Sequence, residues 1–368
     1  MKTKADRTGL SRKPGAQAPR RTSIAAISAV GAVVVFVSVV IATGLGTVTI
    51  PPLEVLRAIL VGLRLLPSTA VDPTDLTIVL SLRLPRVAMA LVAGAGLALS
   101  GTVLQGVFRN PLADPGILGV ATGAGLGALI GIVTDLGRPL GLFAVPVFAF
   151  VGALAAVGII LGVSFTAGGQ GRGDTVTLIM SGMATSAIFG ALISLTVMLS
   201  NQYQVTSYVF WTMGGLANRR WEHVLTALPV VAVSGAYILV RARDLDILLL
   251  GDEQARSLGV HPTSTRVTLL IAATLCTASV VAMIGPIGFV GLIVPHILRL
   301  LIGPAHRALA VASLFAGGVF LLLCDLVVRI GARTSGGEVS VGVVTALIGA
   351  PYFLFLLVRS GKGKGAFL

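Results

Sequence analysis

An all-α, polytopic membrane protein with about ten transmembrane helices is the fold class this sequence predicts. Of its 368 residues 55% are hydrophobic and only 11% charged, and the mean hydropathy is +0.98. A soluble domain carries about a quarter charged residues, so a water-facing surface of ordinary size is excluded. The net charge of +13 and pI near 11.0 would suit a nucleic-acid binder only if Lys and Arg gathered on one face of a soluble domain. Here the basic residues sit between long apolar runs, so the charge is read as an orientation signal and no nucleic-acid partner is expected.

Residues 1–22 hold seven Lys/Arg and one acidic residue among Pro, Gly, Ser and Thr, which predicts a disordered cytoplasmic tail. The run 24–43 is long enough to cross a hydrocarbon core, and it exceeds the apolar core of a cleaved signal. The same length criterion places further spans at 79–107, 117–133, 142–166, 176–199, 224–241, 265–285, 287–302, 306–330 and 341–358. Together, 23–360 form the membrane domain and 361–368 a short cytoplasmic tail. Segment 79–107 is longer than one bilayer and is expected to tilt or project. Segment 287–302 follows Gly285-Pro286, contains Pro295 and is too short for a full span, so neighbouring protein must satisfy its backbone.

Ten spans with a cytoplasmic N-terminus put both termini inside a cell membrane. That arrangement leaves 18 of the 27 Lys/Arg on the inner side and 9 on the outer, as the positive-inside bias requires. Cys276 and Cys324 both lie in apolar runs and read as small buried residues, with no metal pattern. The only Gly-Lys cluster, Gly361-Lys362-Gly363-Lys364, lacks Walker A spacing and its Ser/Thr. No cofactor is expected on this chain, and any ATP hydrolysis belongs to a partner.

The stretch Leu82–Gly127 combines an Arg-Leu-Pro-Arg entrance, a glycine-rich span and the turn Asn110-Pro111-Leu112-Ala113-Asp114-Pro115. Later come YVFWTMGG from Tyr208, LGDEQARSLGV from Leu250, GPIGFVGLIVPHILRLLIGPAHR from Gly285 and EVSVGVVTALIGAPYFLFLL from Glu338. In this order the motifs resemble the FecCD/BtuC-type permeases, the membrane subunits of ABC importers for ferric siderophores, haem and cobalamin. The resemblance implies a second permease subunit, identical or paralogous, two ATPase subunits, an extracytoplasmic binding protein and an iron-chelate cargo. A ferric siderophore is the expected cargo, with haem and cobalamin as alternatives.

Site residues follow from the same resemblance. Arg83, Arg86 and Arg329 are expected to receive acidic residues of the binding protein, while snorkelling to headgroups is the plainer reading of the first two. Asp325 lies four residues before Arg329 on one helix face and is expected to pair with it. The segment 241–262 mixes acids with leucines, a composition that suits a protein interface. The resemblance makes it the ATPase coupling segment, through Leu250, Gly251, Asp252, Glu253, Ala255, Arg256, Leu258 and Gly259. Asp252 and Glu253 remain alternatives for its decisive contact.

Thr175 and Val176 correspond to the cytoplasmic gate, and Ser181, Thr185, Ser186 and Ser194 to the pathway lining. Hydroxyls of this kind either wet a passage or hydrogen-bond between helices. His296, near Pro295, is expected to be neutral and satisfied by a helix carbonyl. An ion- or proton-driven secondary transporter is the rival class; against it, Asp325 is the one acid that the sequence places within a span.

Overall fold

The computed structural model describes residues 23–46, 48–167, 175–335 and 337–362. These residues are helical, with no strand among them. Seven helices are long and apolar enough to cross a membrane, and Val120–Val133, Val290–Ile302 and Val341–Leu356 are shorter apolar helices. The basic tail 1–22 and the C-terminal 363–368 lie outside the described residues.

Helix α1 (Ile24–Gly44) is followed by the short α2 (Pro52–Gly62) and α3 (Pro73–Thr77), neither of which the apolar-length criterion detects. A π-helical turn, Ile78–Arg83, then feeds α4 (Leu84–Val107). Next come α5 (Val120–Val133), α6 (Ala144–Ala167), α7 (Thr175–Met198), the short α8 (Gln202–Thr212) and α9 (Trp221–Leu249). The chain ends with α10 (Asp252–Ser257), α11 (Pro262–Ile284), α12 (Val290–Ile302), α13 (His306–Ser335) and α14 (Val341–Lys362).

The core is built on α4 and α11, which are mostly buried, whereas α1 is peripheral and packs along α13. Lipid tails are as apolar as leucine, so burial alone does not drive such helices together; close packing and interhelical hydrogen bonds do. Gly94 of α4 lies against the backbone of Gly317 in α13, and Gly101 against that of Gly291 in α12, with no room for a Cβ at either contact. Hydroxyls stitch the same seam: Ser100 Oγ donates to the Ala273 carbonyl at 3.0 Å, and Thr277 Oγ1 lies 2.8 Å from Ser100 Oγ. Thr102 Oγ1 reaches Ser313 Oγ at 3.0 Å.

Two segments enter this core without crossing it. After α4 the chain reverses at Arg109, whose φ is 49°, and forms a 3-10 turn over Pro115–Leu118. That turn lies beside Leu97, Thr277, Val281 and Gly291 around a cavity of about 80 Å³. Leu97 sits ten residues before the end of α4, a rise of about 15 Å. Asp114 therefore lies deep among the helices, not in the cytoplasmic turn the sequence suggests. Its carboxylate accepts from the Gly116 amide at 2.8 Å. Gly119, with φ 63°, then starts α5 from within the bundle.

The second break runs over 285–289, between α11 and α12. Gly285 and Phe289 have φ of 75° and 69°, and the Phe289 ring packs on Gly349 of α14. Neighbouring backbone helps to satisfy it, as its short length requires: the Gly215 amide donates to the Ile284 carbonyl at 2.7 Å.

Candidate functional site

Candidate residues gather at the two ends of the bundle, around the start of α4 and around α10. At the first end, the polypeptide terminus of α1 explains the arginines. A helix leaves its last four carbonyls without intrahelical partners. Arg83 Nη1 donates to the carbonyls of Thr43 and Gly44 at 2.8 and 3.1 Å, and its Nη2 to that of Val48. Arg329 Nη1 donates to the Leu45 carbonyl at 3.2 Å. Both guanidiniums thus complement the negative end of the α1 dipole.

Asp325 is wholly buried between two cations. Arg86 grips it through Nε and Nη2 at 3.0 and 2.8 Å, and Arg329 Nε lies 3.0 Å from its other oxygen. The remaining nitrogen of Arg86, Nη1, donates to Glu338 Oε2 at 2.8 Å, just before α14. The expected Asp325–Arg329 pair is present, and Arg86 joins it.

Arg83, Arg86 and Arg329, expected to receive acidic residues of a binding protein, each already have acceptors within their own chain. Arg83 and Arg329 are buried, and all three are bound to groups of their own chain. Apart from the Asp325–Arg329 pair, the sequence does not show these contacts, which join residues 35 to 284 positions apart.

Two further arginines stand at this end. Arg219 and Arg220 follow Asn218, whose φ of 57° turns the chain into α9. A hollow of about 860 Å³ opens here, lined by Arg86, Arg219, Arg220 and Trp221 among others. Arg219 also borders a second hollow of about 470 Å³ that reaches α8 and the start of α14.

At the opposite end, α9 runs on to Leu249, so the first turns of the segment 241–262 continue the preceding helix. Arg241 and Asp244 pair at 2.8 Å, and Asp246 accepts from the His306 amide at 3.1 Å while its oxygen lies 2.6 Å from His306 Nδ1. The true connection is shorter: Leu250, Gly251 at φ 109°, α10, then Gly259 at φ 80°. Ala255 is buried and holds α10 against its neighbours, whereas Leu250, Leu258, Glu253 and Arg256 are exposed.

The two adjacent acids part company here. Asp252 is gripped by Arg266, with Oδ2 at 3.2 Å from Nη1 and Oδ1 on Nη2. That hydrogen bond holds its carboxyl below the usual aspartate range. Glu253 faces outward from the same turn.

Between the two ends, α7 arranges its hydroxyls inward. Ser181 and Thr185 are buried, Ser181 Oγ donates to the Leu178 carbonyl at 3.1 Å, and Ser186 Oγ is 3.2 Å from Thr122 Oγ1. Of the four expected lining residues only Ser194 is exposed, and its hydroxyl is turned to the Gly190 carbonyl at 2.9 Å. Small hydroxyl residues suit helix contacts, so the outward face of α7 is left to Val176, Met180, Met183, Ile188, Leu195 and Met198. Thr175 begins α7, beside the exposed Val176. Among the described residues His296 finds no hydrogen-bond partner for either ring nitrogen, which corrects the expected carbonyl, and its ring edges on Tyr352.

The sequence profile of the FecCD transport family matches residues 33–359. The chain belongs to the FecCD transport family. It is 44% identical over 287 residues to the cobalamin import system permease protein BtuC of Halobacterium salinarum, covering 78% of this chain and 75% of that one. It is 38% identical to the hemin transport system permease protein HmuU of Yersinia pestis, covering 83% and 91%. Among solved structures, a metal-chelate type ABC transporter in an inward-facing conformation superposes with a TM-score of 0.75 at 30% identity. That match covers 92% of this chain and all of the other. An ABC permease of the FecCD family, multi-pass in a membrane, is therefore the activity class to which the two ends of the bundle belong.

Proposed function

We propose that this chain forms, with a second permease subunit, the membrane pathway of an importer for an iron chelate. Two ATPase subunits engage the α10 end on the cytoplasmic side, where both termini also lie, and an extracytoplasmic binding protein delivers cargo to the Arg86 end. The carrying observation is the build of α10: a short helix held by Ala255 and by the Asp252–Arg266 pair, offering Glu253 with Leu250 and Leu258 outward. Apolar anchors beside a free charge are the makings of a docking surface.

Closure of the ATPases would then displace α10 and, through α9 and α11 on either side of it, bias the bundle between two packings. Thr175 and Val176 stand at the cytoplasmic end of α7, where the gate belongs. The outward face of α7 offers thioether and aliphatic surface without a charge, a wall that lets a large chelate slide without tight coordination. A ferric siderophore is the proposed cargo. A corrinoid or haem is the second reading, favoured by the names of the two relatives above.

Affinity purification of the tagged chain tests the assembly. An ATPase subunit is expected to co-isolate and to be lost when Asp252→Ala and Glu253→Ala are combined. Full uptake without any ATPase would overturn the proposal. Competition between radiolabelled ferric siderophore, haemin and cobalamin for uptake into reconstituted vesicles tests the cargo.

A further inference from the structure

We infer that the groove between α1, α12 and α13, at the end of the bundle that carries α10, is a binding site for an anionic phospholipid, its acyl chain lying in the groove and its headgroup meeting Arg299. The groove has a volume of about 540 Å³. Val30 and Val34 of α1 form one wall, Leu298 and Ile302 of α12 the other, and Phe315 and Val319 of α13 lie in its floor. Every described residue that lines it is apolar.

The groove follows from how α1 is held. Its buried residues, Ser38 to Gly44, fall in its last two turns, where it meets the neighbourhood of Arg83. Over its first half it rests on α13 through Gly31, where the Phe315 ring occupies the space a Cβ would take. A cleft is thereby left between this half of α1 and α12. In a multi-pass membrane protein, hydrocarbon tails or another apolar helix can fill such a cleft. A second permease subunit is not the occupant under the proposed function: it shares the pathway along α7, which packs on α5 and α6, whereas α1 packs on α13.

Charge selects the lipid. Arg299 stands one turn before Ile302 on the same side of α12. It is half-buried, its Nε and Nη2 are enclosed without an acceptor, and it forms no ion pair among the described residues. A cation at membrane depth is costly without a counter-charge, and phosphate oxygens accept the short, charge-assisted hydrogen bonds that a guanidinium makes best. The chain itself supplies no anion nearby in sequence: no Asp or Glu occurs from Arg7 to Thr43 or from Gly285 to Cys324, which takes in the groove-lining part of all three helices. Residues 1–22 instead bring seven Lys/Arg to the start of α1. A basic cluster directly beside a membrane helix attracts anionic headgroups, so the net charge of this end matches a phospholipid and leaves an apolar helix unexplained. A lipid so held ties the start of α1 to α12 across the cleft.

The test uses the full tagged chain in vesicles doped with phosphatidylglycerol or phosphatidylcholine, each carrying a diazirine on its acyl chain. On illumination, phosphatidylglycerol is expected to label Phe315 and Val319 more than the exposed Val233 of α9, and more than phosphatidylcholine does at equal mole fraction. Arg299→Gln should lower that headgroup preference about fivefold, the factor for one cation near an anionic surface. Val30 is 64% exposed, so Val30→Trp fills the groove without entering the core; it should abolish labelling of Phe315 while the melting temperature in detergent is unchanged. Labelling of Phe315 and Val319 no stronger than that of Val233 reports general lipid contact and overturns the inference. Equal labelling by the two lipids, or a preference that Arg299→Gln leaves intact, overturns it as well.

Discussion

Replacing Asp325 with Asn should destabilise the chain far more than replacing Glu338 with Gln, although both acids bind Arg86. Asp325 is wholly buried and accepts from Arg86 Nε and Nη2 while pairing with Arg329 Nε. Its neutralisation leaves two guanidiniums among helices with a single amide oxygen for both. Breaking a buried pair by removing one partner costs about 3–5 kcal/mol, because the stranded charge keeps its desolvation penalty. Glu338 has a side chain 36% exposed and, among the described residues, meets Arg86 Nη1, so water replaces it at a cost of about 0–1 kcal/mol. Thermal unfolding of each purified variant in lipid nanodiscs separates the two. A fall for Asp325→Asn within about 1 kcal/mol of that for Glu338→Gln would refute the buried-clamp reasoning. Exchanging the ionic cluster for packed apolar groups, as D325L with R86M and R329M, should recover part of the loss, since such swaps are often neutral or favourable.

Arg83→Ala should free the end of α1 and raise proteolysis or hydrogen exchange around residues 43–48, with Arg83→Lys intermediate because one ammonium cannot span three carbonyls. Gly101→Ala should cost about 1–3 kcal/mol in the same unfolding assay, since its methyl meets Gly291 backbone, whereas Gly158→Ala enters open space and should be neutral. The Asp252–Arg266 pair lowers the aspartate pKa in the folded chain. Its contribution is therefore full above the unfolded value, near 3.9, and is lost only as pH falls through the lower folded value. Hydrogen exchange of α10 should accordingly be unchanged, once corrected for intrinsic rates, from neutral pH to about pH 5 and rise in strong acid. Protection lost already by pH 5 would contradict the assignment.

The spans were legible because apolar length is a local property: the described helices from α4 onward begin and end within a few residues of most expected limits. For α5 the apolar run 117–133 was just long enough to read as a span, whereas the helix itself holds 14 residues, too few to cross a bilayer. The depth of Asp114 goes with that shortness and with the turn at Gly119, whereas in the sequence the charge of an aspartate after Asn-Pro favoured a solvent turn. The extension of α9 to Leu249 was hidden because charged residues do not interrupt a helix; they only end its apolar face. The arginine network was illegible for a different reason. Whether an arginine is free depends on which carbonyls and carboxylates fold beside it, and Arg83, Arg86 and Arg329 draw their partners from α1, α13 and the start of α14.

The same distinction between the presence of a charge and its freedom orders both ends of the molecule. At each end an acid or base of a recognisable motif is consumed in holding helices together, and a neighbour in sequence or space is left outward. Asp252 ties α10 to α11 while Glu253 faces out; Arg86 ties α4 to α13 while Arg219 and Arg220 border the hollow beside it. In the proposed importer this division would have a mechanical advantage. A docking charge that also held the bundle together would gain affinity only by weakening its own support, whereas separate residues let the partner bind and the held residue carry the displacement inward. On that logic Glu253→Ala should reduce ATPase association without altering the melting temperature, and Asp252→Asn should alter both. Equal effects of the two substitutions on both measurements would show that α10 behaves as one undivided contact.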